Sequence, residues 1–358
     1  MKQKQTPLLS QTLIVVLLAV CILVVTACQD ANQGVESPVA SQSLDEASTW
    51  LFQENQSADG GFGIDFNTGE RASNVPTTLD AILAISAAGY DADVVYCGAE
   101  NSSVGYLKTN AEEAFQYAGT TGGANGKMIL TLAATNQNAR NFAGRDFVTL
   151  LQEQLESSGA FSGQNAFNQA LALLALTAVD EPIPDKAVGW LEDQQSADGS
   201  WNDGFGTDRN VDATAMAIMA LIATGKDPAQ SNVAAALEFL TDSQLASGGW
   251  EYGSGFGENA NSTALAIQAL SAADEDFFNR DGVWAKNGLS PMDALLAWQN
   301  TSGAFQADFG EGRFDDVIAT LQAIPALTGE PYPLDTPQDT AKKELDCQIQ
   351  LQDTAKDS

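Results

Sequence analysis

A short turn sequence recurs along the chain and constrains its fold more than any other feature. Each copy has a glutamine, a glycine four residues later and an aromatic residue two positions after that. The clear copies span residues 56–62, 195–201, 244–250 and 299–305, and a weaker copy ends at Phe161. Because glycine readily adopts backbone conformations that other residues avoid, each copy predicts a sharp turn after a short helix. The aromatic residue that ends the turn is expected to plug back into the core.

A second signature follows each turn. Runs rich in alanine, leucine, isoleucine and methionine begin just after Asn74, Asn165, Asn210, Asn259 and the pair Asp315 and Asp316. Residues 124–132 fill the same slot in a repeat that has no clear turn. These runs are apolar nearly all round, so they predict buried helices. The asparagine, aspartate and threonine residues at their starts are good helix N-caps.

The spacing of the turns gives six repeats. Gly60 and Gly159 are 99 residues apart, which fits two repeats, and Gly199, Gly248 and Gly303 follow at intervals of 40, 49 and 55. Six helix pairs make twelve helices, and buried inner helices with amphipathic outer ones can close into a double-layered ring. We predict an all-α fold, an α/α toroid, over residues 45–334. The alternative is an open solenoid, but such arrays carry polar capping repeats, and neither end of this sequence shows one.

The N-terminal segment predicts export. The apolar run from Leu13 to Val25 is too short for a typical membrane span and fits the core of a secretory signal. It ends in a small residue directly before Cys28, as in bacterial lipoproteins. We predict a signal peptide at residues 1–27, a lipidated Cys28 and a flexible tether at 28–44, which anchor the protein outside the cytoplasm on the bacterial cell membrane. A plain signal peptide and an uncleaved anchor are the alternatives.

Two cysteines, Cys97 and Cys347, remain in the mature chain. Exported proteins live where disulfides persist, so a bridge between this early loop and the C-terminal segment is the simplest use. Two free buried thiols are the alternative. Residues 335–358 repeat the sequence Gln-Asp-Thr-Ala-Lys and predict a loose tail.

The charge balance excludes several functions. Lys and Arg number 16 against 47 Asp and Glu, for a net charge of −31. Nucleic-acid binding needs a basic surface, so we expect no nucleic-acid partner. The chain has no histidine, which removes histidine triads and histidine metal ligands. We predict no metal site, and the acidic, glycine-rich loops at 198–208 and 308–316 are only weakly suggestive of calcium.

The repeats resemble known toroids. The turn sequence resembles the repeat of squalene cyclases and protein prenyltransferases. Residues 211–217, 259–268, 303–306 and 321–327 more closely resemble the α-domain of the transcobalamin and intrinsic factor family. That resemblance implies a toroid whose inner-helix N-termini hold the edge of a corrinoid such as cobalamin, the one ligand that we expect. The family's β-domain and its histidine ligand have no counterpart here, so a separate β-domain protein or a transporter is the implied partner.

Carried over position by position, the family's polar contacts to the corrinoid fall on five residues, Asn125, Asn165, Asp212, Asn259 and Asp315. Helix N-termini gathered at one mouth also present free N–H groups and short polar side chains, which suit an amide-rich ligand. The alternative is that these residues only cap buried helices. Aromatic residues in the loops after each turn, Phe205, Tyr252, Phe256 and Phe309, are candidates for a ligand platform.

We therefore predict non-catalytic capture of a small molecule, most simply a corrinoid. The second hypothesis is a cyclase-like enzyme that uses Asp212, or the pair Asp315 and Asp316, as its acid. The sequence lacks the aspartate-rich magnesium motif and the basic residues that an enzyme with a diphosphate substrate needs. The third hypothesis is a carbohydrate-binding or structural surface protein, because paired carboxylates also occur in glycosidases.

Overall fold

The computed structural model describes residues 38–65, 71–204, 210–229 and 231–334. The predicted signal peptide, the lipidated Cys28 and the tail with Cys347 lie outside the described residues, so each stays a prediction. Within the described residues, no helix is both long enough and apolar enough to cross a membrane.

Thirteen helices and one small hairpin make up the described part of the chain. The helices are α1 (Pro38–Trp50), α2 (Val75–Ala87), α3 (Ser103–Thr109), α4 (Ala111–Ala118), α5 (Gly122–Ala134), α6 (Phe147–Glu153), α7 (Ala166–Ala178), α8 (Asp185–Asp193), α9 (Val211–Ala223), α10 (Ser231–Ser243), α11 (Ala260–Ala272), α12 (Pro291–Leu296) and α13 (Val317–Thr328). A π-helical turn, Leu51–Asn55, extends α1. The strands β1 (Gln306–Ala307) and β2 (Phe314–Asp315) pair antiparallel, with Gln306 opposite Asp315.

Six of the helices form a closed inner ring. Helices α2, α5, α7, α9, α11 and α13 each pack against the next, and α13 packs against α2. Nearly all their residues are buried, as their apolar sequences require. The remaining helices lie outside this ring. The predicted α/α toroid is confirmed, and the open-solenoid alternative is wrong because the last inner helix contacts the first.

Two details differ from the prediction. The outer helix of the second repeat is broken in two at Asn110, whose amide nitrogen donates a 2.9 Å hydrogen bond to the Tyr106 carbonyl. The described residues therefore hold thirteen helices instead of twelve.

The first helix begins at Pro38, so residues 38–44 are helical and do not belong to a tether. Proline suits the first turn of a helix, where its missing N–H is not needed. Ser43 and Gln299 then bond to each other and join α1 to the last turn.

The structure of the recurring turn explains why a glutamine, a glycine and an aromatic residue are repeated in its sequence. In the best copies the glutamine amide nitrogen donates to the glycine carbonyl, at 2.9 Å from Gln195 to Gly199 and 2.8 Å from Gln244 to Gly248. Both glycines have a positive φ, 86° and 92°, which other residues rarely adopt. The aromatic residues that follow are the most deeply buried in the protein, so the predicted core role of Trp201, Trp250 and Phe305 is confirmed.

A recurring hydrogen bond joins each buried aromatic residue to its inner helix. The fourth residue after the helix N-cap accepts from the backbone N–H of the aromatic residue at 2.8–3.0 Å. The pairs are Thr78 with Phe62, Gln169 with Phe161, Thr214 with Trp201, Thr263 with Trp250 and Thr320 with Phe305. We call this fourth residue the outward position, because it faces the outer layer.

Cys97 is disulfide-bonded. A free thiol at this position, one of the alternatives, is therefore wrong. Cys347 lies outside the described residues, so its pairing with Cys97 stays a prediction.

Candidate functional site

The inner helices run in the same direction. A side chain at Gly123 of α5 would clash with Asn168 of α7, and one at Gly126 would clash with the backbone of Leu171. The two contacts share one offset along the chain, as parallel neighbours require. The first turns of α9 and α11 also lie close together, because Ser262 is near enough to Asp212 to influence its pKa. The N-termini of the ring therefore gather at one end, which we call the mouth.

Every inner helix begins with a side-chain cap at the mouth. The cap oxygen accepts a hydrogen bond from the backbone N–H three residues later in each case. The caps are Asn74, Thr121, Asn165, Asn210, Asn259 and Asp316. Two predicted ligand contacts, Asn165 and Asn259, are among them, with bonds of 2.8 Å to Asn168 and Ser262. They lie at the mouth as expected, and their Oδ1 atoms already have a capping role.

Two other predicted contacts do not lie where the prediction put them. Asn125 is fully buried and occupies the outward position of α5, from which it donates to the Phe147 carbonyl at 3.0 Å and to Gln154 at 3.1 Å. Its repeat lacks the glycine turn, so the sequence offered no marker for the cap, which is Thr121. Asp315 lies on β2, one residue before the cap Asp316, and accepts from Asn300, Ser302 and Gln306. The burial of Asn125 removes it from the expected cluster, while a ligand contact by the partly exposed Asp315 stays a prediction.

The inward face of the ring follows from helix geometry. Because an α-helix turns by about 100° per residue, the second, sixth and ninth residues after a cap lie opposite its outward position. We call them the rim, wall and floor positions. The floor residues are all buried: Leu83, Leu130, Leu174, Met219, Gln268 and Pro325. They close the ring, so its inside is a cup that opens at the mouth.

Both partly exposed and buried residues line the upper cup. The rim residues are Pro76, Gly123, Phe167, Asp212, Asn261 and Ile318. The wall residues are Asp80, Lys127, Leu171, Met216, Leu265 and Gln322. Asp212, the fifth predicted contact, is therefore inside the cup. Sequence reasoning missed Asp80, Lys127, Asn261 and Gln322, although polar residues in otherwise apolar helices are a readable signal.

Asp212 is the most perturbed acid in the cup. Burial raises its pKa to about 7, the nearby Ser262 hydroxyl lowers it, and the negative charge of Asp203 adds to the rise. Its Oδ1 atom is buried and has no hydrogen-bond partner among the described residues. Asp203 itself accepts from the Tyr252 hydroxyl at 2.5 Å and from Asn210 at 3.3 Å. A carboxylic acid that is protonated near neutral pH thus lies beside a second carboxyl group.

An ion pair lies across the ring from Asp212. Lys127 Nζ is 2.6 Å from Asp80 Oδ1, and their side chains are 22% and 28% exposed. Burial lowers the pKa of Lys127, but the neighbouring Asp80 carboxylate and Tyr117 outweigh it and raise the pKa overall. Burial and the Asp80 charge likewise raise the pKa of Tyr332. At neutral pH Lys127 therefore stays charged, and the phenol groups of Tyr117 and Tyr332 stay protonated.

The loops at the mouth hold exposed aromatic rings. Phe256 and Phe309 are 65% and 81% exposed. Glu251 accepts from the N–H groups of Gly255 and Gly257, and Asp308 does the same in its own loop. Phe205 lies outside the described residues. Within them, no group of three or more acidic or cysteine side chains is placed to hold a metal ion.

Comparison with known proteins defines the class of fold. The model of the squalene-hopene cyclase C-terminal domain matches residues 169–279. The structure is similar to the type II terpene cyclase MstE from Scytonema, with 14% identity over 82% of this chain and 98% of that one and a TM-score of 0.56. A protein from Actinoplanes is similar at 15% identity, with 81% and 99% covered and a TM-score of 0.56.

A glycoside hydrolase is also similar. It is an inactive variant of the α-1,6-mannanase GH76A of Salegentibacter sp. HEL1_6, in complex with α-1,6-mannotriose, at 15% identity, 81% and 98% coverage and a TM-score of 0.56. No curated protein matches the chain. At such identities the likeness shows the fold alone. The chain has the α/α toroid fold of the terpenoid cyclase and prenyltransferase superfamily, while a relationship to the transcobalamin family stays a prediction.

Proposed function

We propose that the protein binds a small hydrogen-bonding molecule in the cup and does not transform it. One observation carries the proposal, the buried Oδ1 of Asp212 without a partner. Leaving a buried polar atom unpaired costs about 1–3 kcal/mol. Nine side-chain atoms of the described residues are unpaired in this way, and the Asp212 oxygen is the one carboxyl oxygen among them. A ligand that bonds to Asp212 removes this cost.

The cup also limits the charge of the ligand. The protein carries a net charge of −31, which repels anions at a distance. Near neutral pH a protonated Asp212 can donate a hydrogen bond as well as accept one, so it suits an uncharged oxygen or amide group. The expected ligand is uncharged and rich in hydrogen-bonding groups.

A corrinoid is the first specific ligand that we propose. Its amide-bearing edge fits polar helix N-termini, and a chain without histidine would hold it without a histidine ligand to cobalt. A separate β-domain protein or a transporter would then cover or receive the ligand. The proposed N-terminal lipid at Cys28 would keep this exchange at the cell surface.

Titration calorimetry on the purified chain tests the proposal, with cyanocobalamin, dicyanocobinamide and α-1,6-mannotriose as ligands. We expect saturable binding of both corrinoids, similar in strength, and at least tenfold weaker binding by Asp212→Leu. Asp193→Asn, which changes an exposed acid on α8, is the matched control and leaves binding unchanged. If no ligand binds, or if Asp212→Leu binds as well as the unchanged protein, the proposal is wrong.

Acid catalysis by Asp212 is the second candidate. Its support is Asp212, whose pKa burial raises to about 7, together with the neighbouring carboxyl group of Asp203, because paired carboxyl groups are a common acid–base arrangement. The related folds include a terpene cyclase, for which geranylgeranyl dihydroxybenzoate is a substrate, and a mannanase. Mass spectrometry after incubation with that substrate, squalene or α-1,6-mannotriose would detect conversion. Conversion that Asp212→Asn abolishes would replace the binding proposal with this one.

A further inference from the structure

Two charged residues interrupt the inner ring at equivalent places. Asp80 and Lys127 occupy the wall positions of the neighbouring helices α2 and α5. The rest of each helix is apolar or small, except for buried hydroxyl and amide groups. A matching position on adjacent repeats places the two side chains together, and they form an ion pair of 2.6 Å.

The burial of this pair has a cost that packing does not explain. Taking two charges out of water costs several kcal/mol per ion, and well-packed apolar residues often give equal stability. The other side of the same ring shows that alternative, since Leu171, Met216 and Leu265 occupy the wall positions there and are at most 6% exposed. The charges, by contrast, keep about a quarter of their side chains exposed. They remain available to a ligand.

The polar residues form one continuous arc. Next to Asp80 in the ring, Gln322 of α13 accepts a 2.8 Å hydrogen bond from Asn261 of α11. The arc therefore runs over four helices, from Asn261 through Gln322 and Asp80 to Lys127. On the opposite side the wall positions Leu171, Met216 and Leu265 are apolar, and Asp212 lies at the rim beside them. A ligand that fits both sides is amphipathic, with its polar edge against the arc.

We infer that the Asp80–Lys127 pair is a subsite for a carboxamide group of the ligand. An amide N–H₂ can donate to the Asp80 carboxylate while the amide oxygen accepts from Lys127. A carboxylate in the same place would be repelled by Asp80, and an ammonium group by Lys127, so the pair selects the neutral group that has both a donor and an acceptor. The inference rests on the proposed function, because it names what the ligand presents to the cup.

Three probes of one size test this inference, benzamide, benzoate and benzylamine. Their affinities for the full purified chain are measured by ligand-observed NMR titration, where dissociation constants for such fragments are on the order of millimolar. Benzamide is expected to bind saturably, and each charged probe at least tenfold more weakly. The double variant Asp80→Leu with Lys127→Met is expected to weaken benzamide at least tenfold and to abolish the preference.

A matched ion pair on the outer surface provides the control. Lys226 and Glu192 are 2.7 Å apart, and Glu192→Leu with Lys226→Met should leave benzamide binding unchanged. If the cup variant does not fold, Asp80→Asn with Lys127→Gln keeps the size of both side chains, and we expect the same tenfold loss from it.

The outcomes separate this inference from the proposed function. Equal binding of the three probes, no saturable benzamide binding, or full benzamide binding by the pair variants overturns the carboxamide subsite. If Asp212→Leu weakens corrinoid or benzamide binding while the pair variants do not, the cup remains the binding site and the pair has no part in it. If neither set of variants changes the binding of any ligand, both proposals fall.

Discussion

The two faces of the inner helices follow different rules. On the outward face all six positions are polar and hydrogen-bonded, and five of the six hold a buried aromatic residue through the same bond. On the inward face the six wall positions hold five residue types, with leucine alone occurring twice, and one buried carboxyl oxygen at the rim has no partner among the described residues. The residue at the sixth outward position, Asn125, bonds to α6 through its amide nitrogen, while its Oδ1 atom has no partner among the described residues.

This difference separates structural residues from candidate functional ones. A residue repeated in every unit serves the packing that every unit needs, because neighbouring repeats stabilise one another. A residue that departs from its repeats at a buried position has to be explained individually. By that standard Asp80, Lys127 and Asp212 are the residues of interest, while Trp201 and Trp250 are structural.

Removing one of the buried aromatic side chains that end the turns should have the largest effect on stability and should sharpen the comparison most. Trp250 is fully buried, and its indole nitrogen donates 2.8 Å to the Leu240 carbonyl. Trp250→Ala is expected to lower the free energy of unfolding by about 3–5 kcal/mol, measured by urea denaturation. Phe256→Ala, at a ring that is 65% exposed, should change it by less than about 0.5 kcal/mol. Equal effects would show that the exposed ring is also structural.

A substitution on the inward face should instead raise the free energy of unfolding. Asp212 has a folded-state pKa of about 7, well above that of an unfolded aspartate. Between about pH 4 and 7 the unfolded state loses its proton first, so this residue lowers the free energy of unfolding as the pH rises. Asp212→Asn removes this loss. We expect it to be about 2–4 kcal/mol more stable than the unchanged protein at pH 8, with a smaller difference at pH 4.

Thermal and urea unfolding at the two pH values provide the measurement. Asp193→Asn, at an exposed position, should leave the pH dependence unchanged. A variant at position 212 that is less stable than the unchanged protein at pH 8 would mean that Asp212 has a structural partner, and the contrast between the two faces would fail.

The next largest effect on stability should come from the hydrogen bond that joins each buried aromatic residue to the outward position of its inner helix. Thr263 accepts 3.0 Å from the Trp250 backbone N–H, and valine has the same shape without the oxygen. Thr263→Val should cost about 1–3 kcal/mol, because it leaves a buried donor unpaired. Thr241→Val is the control, since Thr241 bonds only to its own helix, and should cost less than about 0.5 kcal/mol. A neutral result at Thr263 would leave the recurring threonine unexplained.

The sequence predicted the outward face well and the inward face poorly. The glycine turns, the aromatic residues that end them and the helix caps are local sequence patterns, so the six repeats and the toroid could be predicted from them. The break at Asn110 and the cap at Thr121 occur in the repeat without a glycine turn, where no marker fixed the register. The cup depends on which helix face points inward once the ring has closed. Asp80 and Lys127 are 47 residues apart in the sequence, and the packing of the first two inner helices against each other brings them together.

The smallest effect concerns a residue predicted to contact ligand that the structure uses as a cap. Asn165 Oδ1 accepts 2.8 Å from the Asn168 backbone N–H, so Asn165→Ala should lower the free energy of unfolding by about 1 kcal/mol. Asn165→Ser keeps a capping oxygen and should restore most of that loss. Because the outward and capping residues serve packing, we expect either variant to bind benzamide and corrinoids as the unchanged protein does. A tenfold loss of binding in the folded Asn165→Ser variant would instead place Asn165 in the ligand site, and the boundary between structural and functional residues would move up to the caps.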